Sequence, residues 1–162
     1  MAALLLLLLG AGVALVSANG QEAYNQLPDA YRKGVDLATE NLNSHVGIRH
    51  HFLFFRSLVK SDIEPGFDVS YIYHHFYLKA TKCSKGTVDS SQCAFRDDRP
   101  LIDCAVCYKT YAGEIEQEPK PYIHCVHKPV LTEDMKVARV EHCNNMGYSS
   151  GAPTLLASVA RK

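Results

Sequence analysis

Tryptophan is absent from the 162 residues, and neither sign of charge prevails, with 17 Lys and Arg against 17 Asp and Glu. That balance argues against nucleic acid or an anionic membrane as partners recognised through net charge. No Asn-x-Ser/Thr sequon occurs, so no N-linked glycan is expected. There is no glycine loop that would cradle a phosphate, no nucleophile elbow and no paired carboxylates on a helix. An enzyme is therefore not expected, nor a cofactor or metal site. Beyond the N-terminal residues there is no low-complexity segment, no internal repeat and no second apolar stretch long enough to cross a bilayer.

What is present begins with six consecutive leucines at residues 4–9, continued by apolar and small residues to Val16. The stretch is short for a membrane span, which needs roughly 20 residues. Val16-Ser17-Ala18 matches a signal peptidase site, so residues 1–18 read as a cleaved signal peptide, with a cut after Gly20 as second choice. No Lys or Arg precedes Arg32, and an uncleaved N-terminal anchor is the alternative. The expected mature chain is secreted, extracellular, not membrane-embedded, monomeric and of a size that fits one domain. Six cysteines lie at 83, 93, 104, 107, 125 and 143, all in the second half of the chain. An even count behind an export signal reads as three disulfides.

Pro28 and Asp29 open a helix, since proline suits the first helical position and an acid there complements the helix dipole. Tyr31, Val35, Ala38 and Leu42 then form one apolar stripe, so a helix is expected over residues 28–44. Residues 51–60 and 67–82 read as strands around a reverse turn at Glu64-Pro65-Gly66-Phe67. Ile72, Phe76 and Leu78 share one face of the second strand, and Tyr71, Tyr73 and Tyr77 the other. Residues 84–98 are a polar loop, 101–111 a third strand, 114–121 an acidic turn and 122–127 a fourth strand. Residues 132–141 carry a weak helical or irregular pattern, and 144–162 read as a mobile tail rich in small residues. The class is α+β: one helix packed on a four-stranded antiparallel sheet.

Cys104-Ala105-Val106-Cys107 is a C-x-x-C, with three readings. A thioredoxin-type redox motif needs a helix N-terminus, but these residues lie in a strand-like run. A zinc site would recruit Cys104, Cys107, Cys125 and His124 or His127, with spacing unlike a standard knuckle. In the third reading the two thiols point to opposite faces of a strand and bond separate partners. The expected pairs are Cys83–Cys93, Cys104–Cys125 and Cys107–Cys143, with the partners of Cys104 and Cys107 interchangeable among the fifteen pairings that sequence allows. The doublets His50-His51 and His74-His75 read as ordinary surface histidines, and the tyrosine face as sheet packing.

A leader, a helix, four strands and a late cysteine ladder resemble the cystatin and cathelicidin superfamily, and within it the chemerin family. The resemblance rests on C-x9-C-x10-C-x2-C followed by Cys125 and Cys143, and on Cys104-Ala105-Val106-Cys107-Tyr108-Lys109 and His124-Cys125. It covers residues 24–143 and implies a cystatin-like domain there. Cystatins inhibit papain-like proteases through a glycine, a Q-x-V-x-G hairpin loop and a tryptophan. This chain lacks the last two, and the region of that loop reads Phe55-Arg56-Ser57-Leu58-Val59-Lys60. Protease inhibition stands as the alternative function. A cathelicidin-like host-defence precursor is a further one, although Arg161 and Lys162 are the only basic residues after Cys143.

The resemblance implies a secreted precursor trimmed at its C-terminus by extracellular proteases. The exposed end would engage a chemokine-like G-protein-coupled receptor, attract macrophages and bear on inflammation and adipocyte differentiation. By resemblance, Leu155, Leu156, Ala157 and Ser158 fall at the receptor-contacting end, with Tyr148 the only aromatic residue after Cys143. Removal of residues 159–162 would set cleavage after Ser158, and Arg161 offers a site to trypsin-like or carboxypeptidase B-like enzymes.

Overall fold

The computed structural model describes residues 20–90 and 92–149. The expected signal peptide and residues 150–162 lie outside them. The order is α1 (Gly20–Asn25), α2 (Asp29–Asn43), β1 (His50–Gly66), β2 (Val69–Ser84), β3 (Ile102–Tyr111), β4 (Glu114–Ile115), β5 (Tyr122–His127), a 3-10 turn (Lys128–Val130) and α3 (Glu133–Ser149). The class is α+β with an antiparallel sheet. It has three helices where one was expected, and five strands where four were expected, the extra one being the two-residue β4.

β1, β2 and β3 follow one another across the sheet, and β4 and β5 pair with different stretches of β3. β1 runs on to Gly66, past the stretch read as a strand. Residues 55–60, where the resemblance placed a hairpin loop, therefore lie inside β1. The chain reverses between Gly66 and Val69 instead. Phe67 and Asp68 take the left-handed backbone region there, with φ 57° and 58°.

α2 covers one face of the sheet and α3 the other. Tyr31, Val35, Ala38 and Leu42 meet Phe52, Phe54, Ile72, Phe76 and Leu78 on the α2 side. Tyr71, Tyr73, Ala105 and Cys107 meet Cys143 and Met146 on the α3 side. β2 and β3 are thus buried on both faces, which explains their long runs of apolar and aromatic residues. Each large apolar side chain so covered contributes about 1.5–3 kcal/mol before ordering costs.

At Gly34, α2 passes close against Tyr108 of β3. The Tyr108 hydroxyl passes beside it to donate a hydrogen bond to the Ala30 carbonyl. A Cβ at position 34 would sit 2.7 Å from Tyr108 Cε1 and Oη. Alanine is normally favoured over glycine in a helix by about 1 kcal/mol. Here the fully buried ring has no room to yield. Gly34→Ala is expected to lose about 1–3 kcal/mol in urea unfolding, overpacking outweighing propensity. Adding Tyr108→Phe should recover part of that loss; no recovery would show that the hydroxyl is not the obstacle.

The outcome for residues 132–149 differs from the reading of the sequence. Glu133–Ser149 form one continuous helix, and the six residues from 144 to 149 belong to α3 rather than to a loose tail. Thr132 caps it, its hydroxyl accepting from Met135 N–H at 3.2 Å, with Glu133 and Asp134 in the first turn. The face turned to the sheet carries Arg139, Cys143 and Met146 at i, i+4 and i+7, all buried. One of the three is an arginine, so hydropathy shows no stripe.

Candidate functional site

The site with the most developed chemistry is the seat of α3 on the outer face of β3 and β5. All six cysteines are paired, as Cys83–Cys93, Cys104–Cys125 and Cys107–Cys143. Cys104 and Cys125 are direct cross-strand partners, with Cα atoms 4.2 Å apart. Cys107 points to the other face and holds α3 through Cys143. The two thiols of the C-x-x-C thus leave opposite faces of one strand, as residues three apart must. With every sulfur oxidised, none offers a thiolate for redox exchange or metal ligation.

One helical turn before Cys143, Arg139 reaches down to the sheet and is only 2% exposed. Its Nη1 donates to Asp103 Oδ1 at 2.5 Å and its Nη2 to the Asp103 carbonyl at 3.0 Å. Nε donates to His124 Nδ1 at 2.7 Å, and Nη2 also reaches the His124 carbonyl at 3.3 Å. The guanidinium fork is therefore spent on two neighbouring strands at once, a geometry that lysine cannot copy. His75 Nε2 closes the cluster on Asp103 Oδ1 at 2.9 Å.

Burial works to raise the Asp103 carboxyl, but hydrogen bonds from His75 and Arg139 outweigh it and hold it below the usual range. Asp103 is then a carboxylate, so His75 carries a proton on Nε2. Burial, with the Arg139 charge behind it, pushes His124 down from its ordinary value. Accepting from Arg139 places the neutral His124 proton on Nε2. Tyr122 stacks on His142 of α3 with ring centroids 4.1 Å apart. The arrangement is a mechanical clamp: a disulfide, a forked ion pair and a ring stack fix the helix that leads to residue 150.

Tyr148 belongs to the last turn of α3 and so directly follows the clamp. Leu155, Leu156, Ala157, Ser158 and Arg161 lie outside the described residues. The tyrosine face divides, with Tyr71 and Tyr73 under α3. Tyr77 lies instead between Arg56 and Lys128, at 5.5 Å and 5.1 Å from its ring centre.

His74 corrects the surface reading of the doublets. It is fully buried in the α2-side core among Tyr31, Phe54 and Phe76. Nε2 pairs with Ser57 Oγ at 2.8 Å, while Nδ1 meets no hydrogen-bond partner among the described residues. Burial drives its pKa down to about 3, the Lys60 and His75 charges adding to the effect and the Tyr31 backbone opposing it.

Asp103 and Arg139 escaped the reading of the sequence. Asp103 had a signal, since it is the one charge inside the apolar run Leu101-Ile102-Asp103-Cys104. A carboxylate that a strand pattern places indoors needs a cation. Nothing in the sequence singled out Arg139 as that cation.

Among the described residues no helix is long and apolar enough to cross a membrane, and three disulfides fit an oxidising, extracellular setting. A scan against protein-family models finds no match for this chain, and no curated protein matches it.

Proposed function

We propose that the protein is a secreted, chemerin-like signalling ligand whose disulfide-bonded, cystatin-like domain serves as a scaffold for the C-terminal segment. The carrying observation is the clamp on α3. Cys107–Cys143 and Arg139–Asp103 tie down the helix directly before residues 150–162, so a cut beyond residue 149 leaves the scaffold intact. Receptor contact falls to Tyr148 and residues 155–158, and trimming after Ser158 or at Arg161 sets activity. The receptor is of the chemokine-like G-protein-coupled class. Two buried leucine side chains would supply about 1.5–3 kcal/mol each before ordering costs.

The test compares full-length protein, protein ending at Ser158 and a synthetic peptide spanning residues 148–158. Macrophage migration or receptor signalling should need about tenfold less trimmed protein than full-length. The peptide should act weakly on its own. Silence from all three would end the proposal.

One observation favours protease inhibition as a second reading. The β1–β2 and β3–β4 turns lie side by side, Ala112 N–H donating to the Asp68 carbonyl at 2.9 Å. They carry Phe67, 95% exposed, and Tyr111, 54% exposed. Two projecting aromatic rings offer a wedge for a protease cleft without the Q-x-V-x-G text. Stoichiometric inhibition of papain, lost in Phe67→Ser, would establish this reading; no inhibition would remove it.

A further inference from the structure

β5 is a sheet edge. It pairs with β3 along Ile102–His127 through Cys107–Tyr122, and no described strand pairs with its other side. Edge strands are ordinarily guarded by lysine, proline, a bulge or a covering element, because their free amides and carbonyls invite another chain. β5 reads Tyr122-Ile123-His124-Cys125-Val126-His127, with no lysine, no proline and no break in register.

A cleft of about 570 Å³ follows this edge. It touches five consecutive residues, Ile123 through His127. Leu42, Ile102, Ile123 and Cys125 of its lining belong to or pack on the α2-side core, so the cleft borders β5 on that face of the sheet. The opposite wall is the end of α2 and the loop that follows, where Val46 is 96% exposed. Leu42, Ile48 and Ile102 give it an apolar floor. The cleft continues past Gly47, Ile48 and His127 into a second of about 410 Å³.

The charge around this groove has one sign. Arg49 and Arg99 line its second part, and among the described residues no carboxylate lines either part. Neither arginine holds an ion pair among the described residues. Asp98, whose charge is felt by Arg99, is already bound by Arg96 at 2.6 and 2.8 Å. In a chain with balanced charge, such a stretch selects an anionic occupant.

From the juxtaposition of an unguarded strand edge, an apolar floor and an acid-free cationic rim, we propose that β5 takes an extended segment of a partner protein as an added strand, with apolar and acidic residues in alternation. Main-chain hydrogen bonds to the β5 edge would give affinity, and the side chains would give specificity. The added strand would set its apolar side chains on the floor formed by Leu42 and Ile48, and acidic side chains beyond its His127 end would come within reach of Arg49 and Arg99. A second copy of the chain fits poorly, since β5 against β5 would bring the cationic rims together.

The probe is an acetylated, amidated peptide Asp-Val-Glu-Val-Asp-Val, titrated into the oxidised full chain and followed by amide NMR and hydrogen exchange. Binding should slow amide exchange at residues 123–127 and shift residues 45–48. N-methylation at alternate peptide residues should weaken it by about tenfold or more, because it removes the backbone donors. Lysine in place of the acids, or the protein variant Arg49→Glu with Arg99→Glu, should weaken it to a similar degree. The proposal is overturned if residues 123–127 are unmoved at millimolar peptide, or if the methylated peptide binds equally well. It is also overturned if sodium laurate displaces the peptide, which would mark a lipid site. Concentration-dependent dimerisation in sedimentation that removes the effect would likewise overturn it.

Discussion

Arg139→Leu should loosen α3 on the sheet and cost about 3–5 kcal/mol, the range for breaking a buried pair from one side. The reason lies less in the attraction lost than in what stays behind. Asp103 is 2% exposed and would keep a buried carboxylate with only His75 to answer it. His124 Nδ1 and two backbone carbonyls would lose their donor as well. The Cys107–Cys143 bond still tethers the helix, so the expected result is a loosened α3 on an intact sheet. Amide exchange in residues 133–149 should accelerate while β1 and β2 keep their protection, and limited proteolysis should open sites within α3. Pairing Arg139→Leu with Asp103→Asn removes the stranded charge and should restore a large part of the lost stability. Arg139→Lys should not rescue, since one ammonium cannot reach both strands. A cost below about 1 kcal/mol for Arg139→Leu would place this pair with ordinary surface ion pairs and dissolve the clamp.

The same cluster marks where the sequence stops being readable. α2 was legible because its buried face is written in apolar residues at helical spacing, from Tyr31 to Leu42, after a Pro28-Asp29 start. The first hairpin was legible because Pro65 and Gly66 break two long β-rich runs. The second strand was legible from its dense aromatic run, with Ile72, Phe76 and Leu78 on one face and Tyr71, Tyr73 and Tyr77 on the other. α3 was not legible, because its sheet-facing side mixes an arginine, a cysteine and a methionine while Val137 is 56% exposed. Its apolar and polar positions are partly exchanged relative to an ordinary surface helix. β4 was missed because two residues carry no period. His74 was misread for a related reason. A histidine on an inward strand position looks the same whether its neighbour is solvent or Phe76. Only the arrival of Tyr31 from α2 seals it. In each case the deciding partner is remote in sequence, and its chemistry is ambiguous until the layers meet.

Acidification should destabilise the protein far above the pH at which its carboxylates titrate, with His74 as the main cause. Its folded pKa is depressed to about 3 by burial, against about 6.5 in an unfolded chain. As pH falls below 6.5 the unfolded state takes up this proton and the folded state does not. Stability then declines by about 1.4 kcal/mol per pH unit until the folded pKa is reached. Between pH 6.5 and pH 4 that amounts to roughly 3 kcal/mol. His124 and His51, both lowered by burial, act in the same direction over the upper part of this window. Asp103, also depressed, begins to contribute below about pH 5, as the unfolded carboxylate starts to protonate. Urea midpoints measured from pH 7 down to pH 4 on the parent and on a His74 variant isolate this histidine, since the carboxylate contribution is common to both. His74→Gln keeps a partner for Ser57 and removes the titration. It should lower stability at pH 7, since an amide fills the ring's place among Tyr31, Phe54 and Phe76 imperfectly. Its curve from pH 6.5 to 4 should nevertheless be flatter than the parent's by about 2–3 kcal/mol. The slope, and not the absolute stability, carries the test. Parallel curves for the two proteins would mean that His74 takes its proton as readily folded as unfolded, and the sealed core around it would have to be redrawn.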